Sequence, residues 1–122
     1  MKSISKLPLA IALLVAAQGA WAHHSFAMFD GSKETTLVGE IRDFQWTNPH
    51  TWIHIAVTDE AGNAVVWKIE GGSPNLLQRR GWTRRSLNPG DKATILIHPA
   101  KDGSPLGSMM TVTLADGAKL GE

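Results

Sequence analysis

The chain has 122 residues, five histidines, no cysteine and a formal net charge of +1 with histidine neutral. That length supports one domain rather than two. The lack of cysteine excludes a disulfide scaffold, a thiol nucleophile, a Cys-ligated zinc or iron–sulfur centre and a lipid-anchored cysteine. The balanced charge gives no general attraction to nucleic acid.

The first segment reads as an address. Lys2 and Lys6 supply a positive start, Leu7 to Ala17 is apolar, and Ala20-Trp21-Ala22 is a small-x-small cleavage pattern. That order defines a secretory signal peptide over 1–22. The apolar run ends at Gln18-Gly19, well short of the ~20 residues a membrane span needs. Cleavage after Ala22 leaves 100 residues carrying 10 basic and 11 acidic side chains. The expected location is the periplasm, with no transmembrane segment after cleavage.

Residues 23–34 (HHSFAMFDGSKE) form an arm without clear period that ends in an Asp30-Gly31 turn. The domain proper spans 35–122. Thr35 to Trp46 is rich in strand formers, and Gly39 inside it suggests a bulge or tight bend. Thr47-Asn48-Pro49 is a turn. His50 to Thr58 alternates, with Ile53, Ile55 and Val57 on one face and His50, Trp52 and His54 on the other. Asp59 to Asn63 is a hairpin loop. A third strand over Ala64 to Glu70 puts Val65, Trp67 and Ile69 on one face. Ser73-Pro74 then starts a helix of about two turns through Arg80, stopped by Gly81. Lys92 to His98 and Leu106 to Ala115 are the fourth and fifth strands, and Asp116-Gly117 turns into a short tail. The order β-β-β-α-β-β predicts an all-β domain with one short helix, a five-stranded OB-like barrel. A first strand with an internal glycine fits one that bends to serve both halves of the barrel. Ile53, Ile55, Val57, Val65, Trp67, Ile69, Ile95 and Ile97 form the predicted core.

The pieces His23-His24-Ser25-Phe26, Asn48-Pro49-His50, Trp67-Lys68-Ile69-Glu70, Gly81-Trp82, Leu87-Asn88-Pro89-Gly90-Asp91 and His98-Pro99 together resemble a family of small exported proteobacterial proteins known only as a domain of unknown function. The resemblance covers the mature chain and implies a periplasmic protein of this size. It implies no activity, substrate or catalytic residue.

Histidine carries the main chemical signal. Cleavage after Ala22 would make His23 the free amino terminus, where the α-amine and imidazole chelate together. A second imidazole would complete a planar nitrogen set of the kind Cu(II) favours. The amine, with an ordinary pKa near ~7.7, gives up its proton to a metal at neutral pH. The candidate metal ligands are His23, His24, His50 and His98. His50 and His54 are about 13 Å apart along an extended strand and do not share an ion. A frayed polar end is the plainer account of His23-His24.

Two other surfaces are candidates for binding. Trp52 sits on the histidine face, where OB-type sheets stack ligands, unless the arm from Phe26 to Phe29 covers it. Arg79, Arg80, Arg84 and Arg85 form a basic patch around Trp82. Export removes nucleic acid as a partner and leaves an anionic surface or an acidic periplasmic protein; arginine near a helix C-terminus also offsets the helix dipole. Glu70, at the end of the third strand, is a candidate either to orient a histidine or to accept from the basic patch. Gly71-Gly72-Ser73 is explained by a tight turn. No Ser-His-Asp spacing, phosphate loop or zinc helix is present. The sequence therefore points to a periplasmic binding protein rather than an enzyme, with copper as the first ligand. The alternative is a metal-free interaction module using the Trp52 face or the Arg79–Arg85 patch. A copper-dependent oxidoreductase would need the same ligands plus an open substrate face, which the sequence does not display.

Overall fold

The computed structural model describes residues 27–122; the predicted signal peptide and His23–Phe26 lie outside them. The elements are β1 (Thr35–Gln45), β2 (Trp52–Thr58), β3 (Ala64–Glu70), α1 (Pro74–Arg79), β4 (Lys92–Pro99), β5 (Leu106–Leu114) and β6 (Lys119–Gly121). The sheet runs β3-β2-β1-β4-β5-β6, and a parallel β3–β5 pairing closes the first five into a barrel. The predicted five-stranded barrel with one helix after the third strand is what the chain forms. Among the described residues no helix is long and apolar enough to cross a membrane.

β1 serves both halves of the barrel. Thr35 to Glu40 pairs with β4, and Glu40 to Gln45 pairs with β2. The bulge lies at Arg42, between Ile41 and Asp43, rather than at Gly39. Gly39 marks a close approach instead. A Cβ there would sit 2.0 Å from the Ala56 carbonyl oxygen, so only glycine fits where β1 crosses β2.

Alternation delivers the core. Ile53 and Ile55 of β2, Ile69 of β3, Ile95 and Ile97 of β4 and Val112 of β5 are fully buried. Leu37 and Ile41 join them from β1. Val57, Val65 and Trp67 were expected in the same core. They are only half-buried, because they lie where the β2–β3 hairpin runs past the region that β1 covers. Trp82, Leu77 and Leu87 close the opposite side of the core from the β3–β4 connection.

The helix has its predicted ends. Ser73 is the N-cap and its hydroxyl accepts from the Leu76 N–H. Pro74 occupies the first turn and Leu77 is the buried anchor. The Trp82 N–H donates to the Leu77 carbonyl through Gly81, whose φ is +88°. The expected tail is a sixth strand, pairing Lys119 to Gly121 with Thr111 to Thr113 outside the ring.

Candidate functional site

The turn before β2 and the end of β3 build one corner. The Asn48–Pro49 peptide is cis, and the Thr47 hydroxyl donates to the His50 carbonyl at 3.0 Å. Thr51 is fully buried, its hydroxyl donating to the Gly72 carbonyl at 2.9 Å. A Cβ on Gly71 would meet that hydroxyl oxygen at 2.5 Å, so the glycine pair permits a packed turn. His50 Nδ1 lies 3.2 Å from the Gly71 carbonyl oxygen and 3.3 Å from Glu70 Oε1. Both neighbours are acceptors, so Nδ1 carries the proton. The neutral ring then keeps its lone pair on Nε2, the arrangement in which a carboxylate orients a metal-binding or proton-accepting imidazole. The Glu70 side chain is 11% exposed and the His50 side chain 38%. The Glu122 carboxyl lies over Gly72. Burial pushes it above the ordinary carboxylate range, the charge of Arg80 opposes that rise, as does His50 when protonated, and Glu70 adds to it.

His98 occupies a different place. Its Nδ1 sits 2.8 Å from the Lys33 carbonyl oxygen, which again leaves Nε2 as the open nitrogen. Register puts Glu70 opposite Ser108 and Ser108 opposite His98. Glu70, the partner of His50, and His98 therefore flank Ser108 from the strands on either side of β5, and the two histidines hold separate partners. His54 Nδ1 lies 4.0 Å from Asp43 Oδ2, beyond hydrogen-bond reach. Among the described residues no group of three or more His, Asp or Glu is arranged to hold a metal ion. His23 and His24 lie outside the described residues.

Among the described residues, the arm is anchored along the end of β4 and the loop that follows it. The Asp30 N–H donates to the Pro99 carbonyl, Phe29 bridges Ala100, and the Lys101 N–H donates to the Met28 carbonyl. Phe29 is buried. The Ser32 hydroxyl and N–H, together with Lys33, hold Asp30 below the usual carboxylate range and fix the following turn. Trp52 is half-buried and pairs across from Glu70.

Arg79, Arg80, Arg84 and Arg85 are all exposed. They surround Trp82, which is buried, donates from Nε1 to the Gly121 carbonyl at 2.9 Å and stacks at a tilt on Phe44. The predicted core omits Trp82, which enters the sequence reading as the residue the basic patch surrounds. Its only local signal was Gly81, which turns the chain inward.

Two concavities accompany these groups. A groove of about 540 Å³ crosses the outer face over Val38, Gly39, Ala56 and Lys92. A second, of about 410 Å³, opens at the end of the barrel among Leu37, Val57, Val65, Trp67, Gly103 and Pro105, with Asp59 and Glu60 on its rim.

An OB-like barrel with an anchored N-terminal arm and an oriented histidine at one corner is thus the class of protein. The chain belongs to the family of unknown function DUF6152, which it matches over residues 11–109. No curated protein and no solved structure matches it.

Proposed function

We propose that this is an exported, periplasmic binding protein of proteobacterial type whose ligand is a metal ion, copper(II) first, taken by the α-amine and imidazole of a mature His23. The observation that supports this reading is the anchoring of the arm. Hydrogen bonds tie Met28 to Lys101 and Asp30 to Pro99, so His23 is five residues from a fixed point and within about 17 Å of it. A terminal histidine presented that close to a folded wall loses less entropy on binding than one on a free tail. His24, His50 and His98 are the candidates for further nitrogen donors. The bonding of Nδ1 in His50 and His98 favours Nε2 as the donor atom in each.

Cu(II) titration of processed protein tests the reading. One equivalent should bind. Loss of an outer-shell partner alone costs roughly 10–100-fold in metal affinity, so loss of a direct donor should cost on the order of tenfold or more. An extra residue before His23, which ties up the amine, should have that effect, as should His23→Ala. His54→Ala should change little. Equal affinity of processed and extended forms would remove the terminal site. Absence of stoichiometric binding by every form would favour the metal-free module, for which the four exposed arginines are the supporting observation.

A further inference from the structure

β3 is only half-paired along one side. The Asp59 N–H donates to the Asn63 carbonyl and the Gly71 N–H to the Thr51 carbonyl. Bonded pairs alternate along an antiparallel ladder. With this register Val65, Trp67 and Ile69 therefore bond to β2, and Ala64, Val66 and Lys68 turn their backbone groups away from it. Lys68 finds β5: its N–H donates to the Pro105 carbonyl at 3.0 Å, where the parallel ladder begins. One step earlier the Pro105 nitrogen would have to donate to the Val66 carbonyl, and proline has no N–H. The closure stops there. Among the described residues nothing bonds to the backbone of Ala64 or Val66 on this side, and both residues are exposed. An open strand edge of this kind is a template for another strand.

The same edge borders an apolar mouth. Val65 and Trp67 of β3 line a cavity that Leu37, Val57, Gly103 and Pro105 complete, and both are only half-buried. A strand laid along residues 64–66 would carry every second side chain on the Val65 and Trp67 face, over this mouth. Asp59 and Glu60 stand on its rim. Asp59 already accepts the Asn63 N–H, whereas Glu60 has no ion-pair partner among the described residues. Unpaired backbone groups, an apolar cavity and an unpaired carboxylate thus lie together.

We propose that this edge binds an extended peptide of a partner protein, which adds a strand to β3, sets an apolar side chain in the mouth and brings a lysine or arginine to Glu60. The bonds to Val66 require a backbone with its own N–H and C=O, which a lipid tail lacks. A second copy of this chain fits less well, because two β3 edges laid antiparallel have only residues 64–66 of each free before each meets the other's β5. Main-chain bonds supply the affinity, and the mouth and its rim select the sequence. None of this uses the candidate copper donors, so it goes beyond that reading and stands apart from it.

The test uses isotope-labelled processed protein and the capped pentapeptide Lys-Thr-Phe-Thr-Lys. NMR titration should shift the Val66 amide and the Trp67 indole, and the Val66 amide should become protected from exchange. Alternate N–H groups of a strand face the same edge. Of the two ways to N-methylate every second residue of the peptide, one should therefore abolish binding and the other spare it. Val66→Pro leaves the β2 ladder intact, since this N–H faces away from it, and edge strands accept proline on that side. It should weaken binding about tenfold, the measure of one lost hydrogen bond. Replacing Phe by Ser, or both Lys by Glu, should weaken binding as well, and Glu60→Lys should reverse the preference for Lys over Glu. Equal binding of both N-methylated peptides, or no shift of the Val66 amide at millimolar parent peptide, overturns the proposal. Equal binding of the lysine and glutamate peptides overturns the basic residue assigned to the partner. A dimer in sedimentation that Val66→Pro dissociates gives the edge to a second copy and overturns the peptide.

Discussion

Gly39 and Gly31 separate two roles of glycine. A Cβ at Gly39 would overlap the Ala56 carbonyl, whereas one at Gly31 meets nothing within 4 Å. Gly39→Ala forces β1 and β2 apart and should cost at least about 2 kcal/mol, in the range of other overpacked positions. Gly31→Ala should lie within about 1 kcal/mol of wild type, and urea denaturation of the two variants makes the comparison. Two carboxylates titrate in opposite senses. Glu40 is held below its ordinary value first by the hydrogen bond from Lys92 at 2.7 Å, then by the charges of Lys92 and Arg42. Its contribution is present above the unfolded carboxylate pKa and is lost as pH falls through the lower folded value. Lys92→Ala should raise the Glu40 pKa in an NMR titration. Glu122 is displaced upward by burial, so the folded state holds its proton longer than the unfolded chain does. Stability from this group falls as pH rises from the ordinary carboxylate value through the higher folded value. Glu122→Gln should remove that fall and be at least as stable as wild type at pH 7, as measured by urea unfolding across pH.

At the scale of elements, the strands were legible wherever side chains alternate. β3 was read with its observed bounds, and β1, β2, β4 and β5 within two residues at either end. Ile55 faces the core with no exposure, as its place in the alternation required. Ile55→Ala should cost about 2–5 kcal/mol, measured by chemical unfolding. β6 escaped notice because Lys119-Leu120-Gly121 is too short to show a period. Its strand character comes from the edge of β5, a partner that local sequence does not reveal. The bulge was misplaced for a related reason. Gly39 looked like the irregular residue, but what it satisfies is the nearness of another strand, and the extra residue of the ladder is Arg42. The half-burial of Val57, Val65 and Trp67 depends on where β1 stops covering the hairpin, which alternation within a strand cannot express.

For the whole molecule, the barrel followed from element order, while the site followed only in part. His50 stands out in the sequence as a candidate ligand and Glu70 as a partner for either a histidine or the basic patch, and the fold sets the two 3.3 Å apart. The sequence could not show that His98 would bond to the arm through Lys33, because that contact joins residues far apart in the chain. The ring itself is uneven. Antiparallel ladders of five to seven residue pairs join β1 to β2 and β4, β2 to β3, and β4 to β5, but the β3–β5 closure consists of Lys68, Ile69 and Glu70 against Leu106, Gly107 and Ser108. Among the described residues this is also the only parallel pairing, and its strands are separated by α1 and β4. Loop entropy must be spent before those contacts form. The cylinder therefore has a built-in zip: in native-state hydrogen exchange the Lys68 amide, which donates to the Pro105 carbonyl, should exchange through a lower-energy opening than the amides shared by β1 and β4. When that zip parts, β3 loses its hold on β5 while its ladder with β2, and that of β2 with β1, stay closed. Glu70 and the imidazole it orients would lose their alignment to β5 while most of the barrel stays folded.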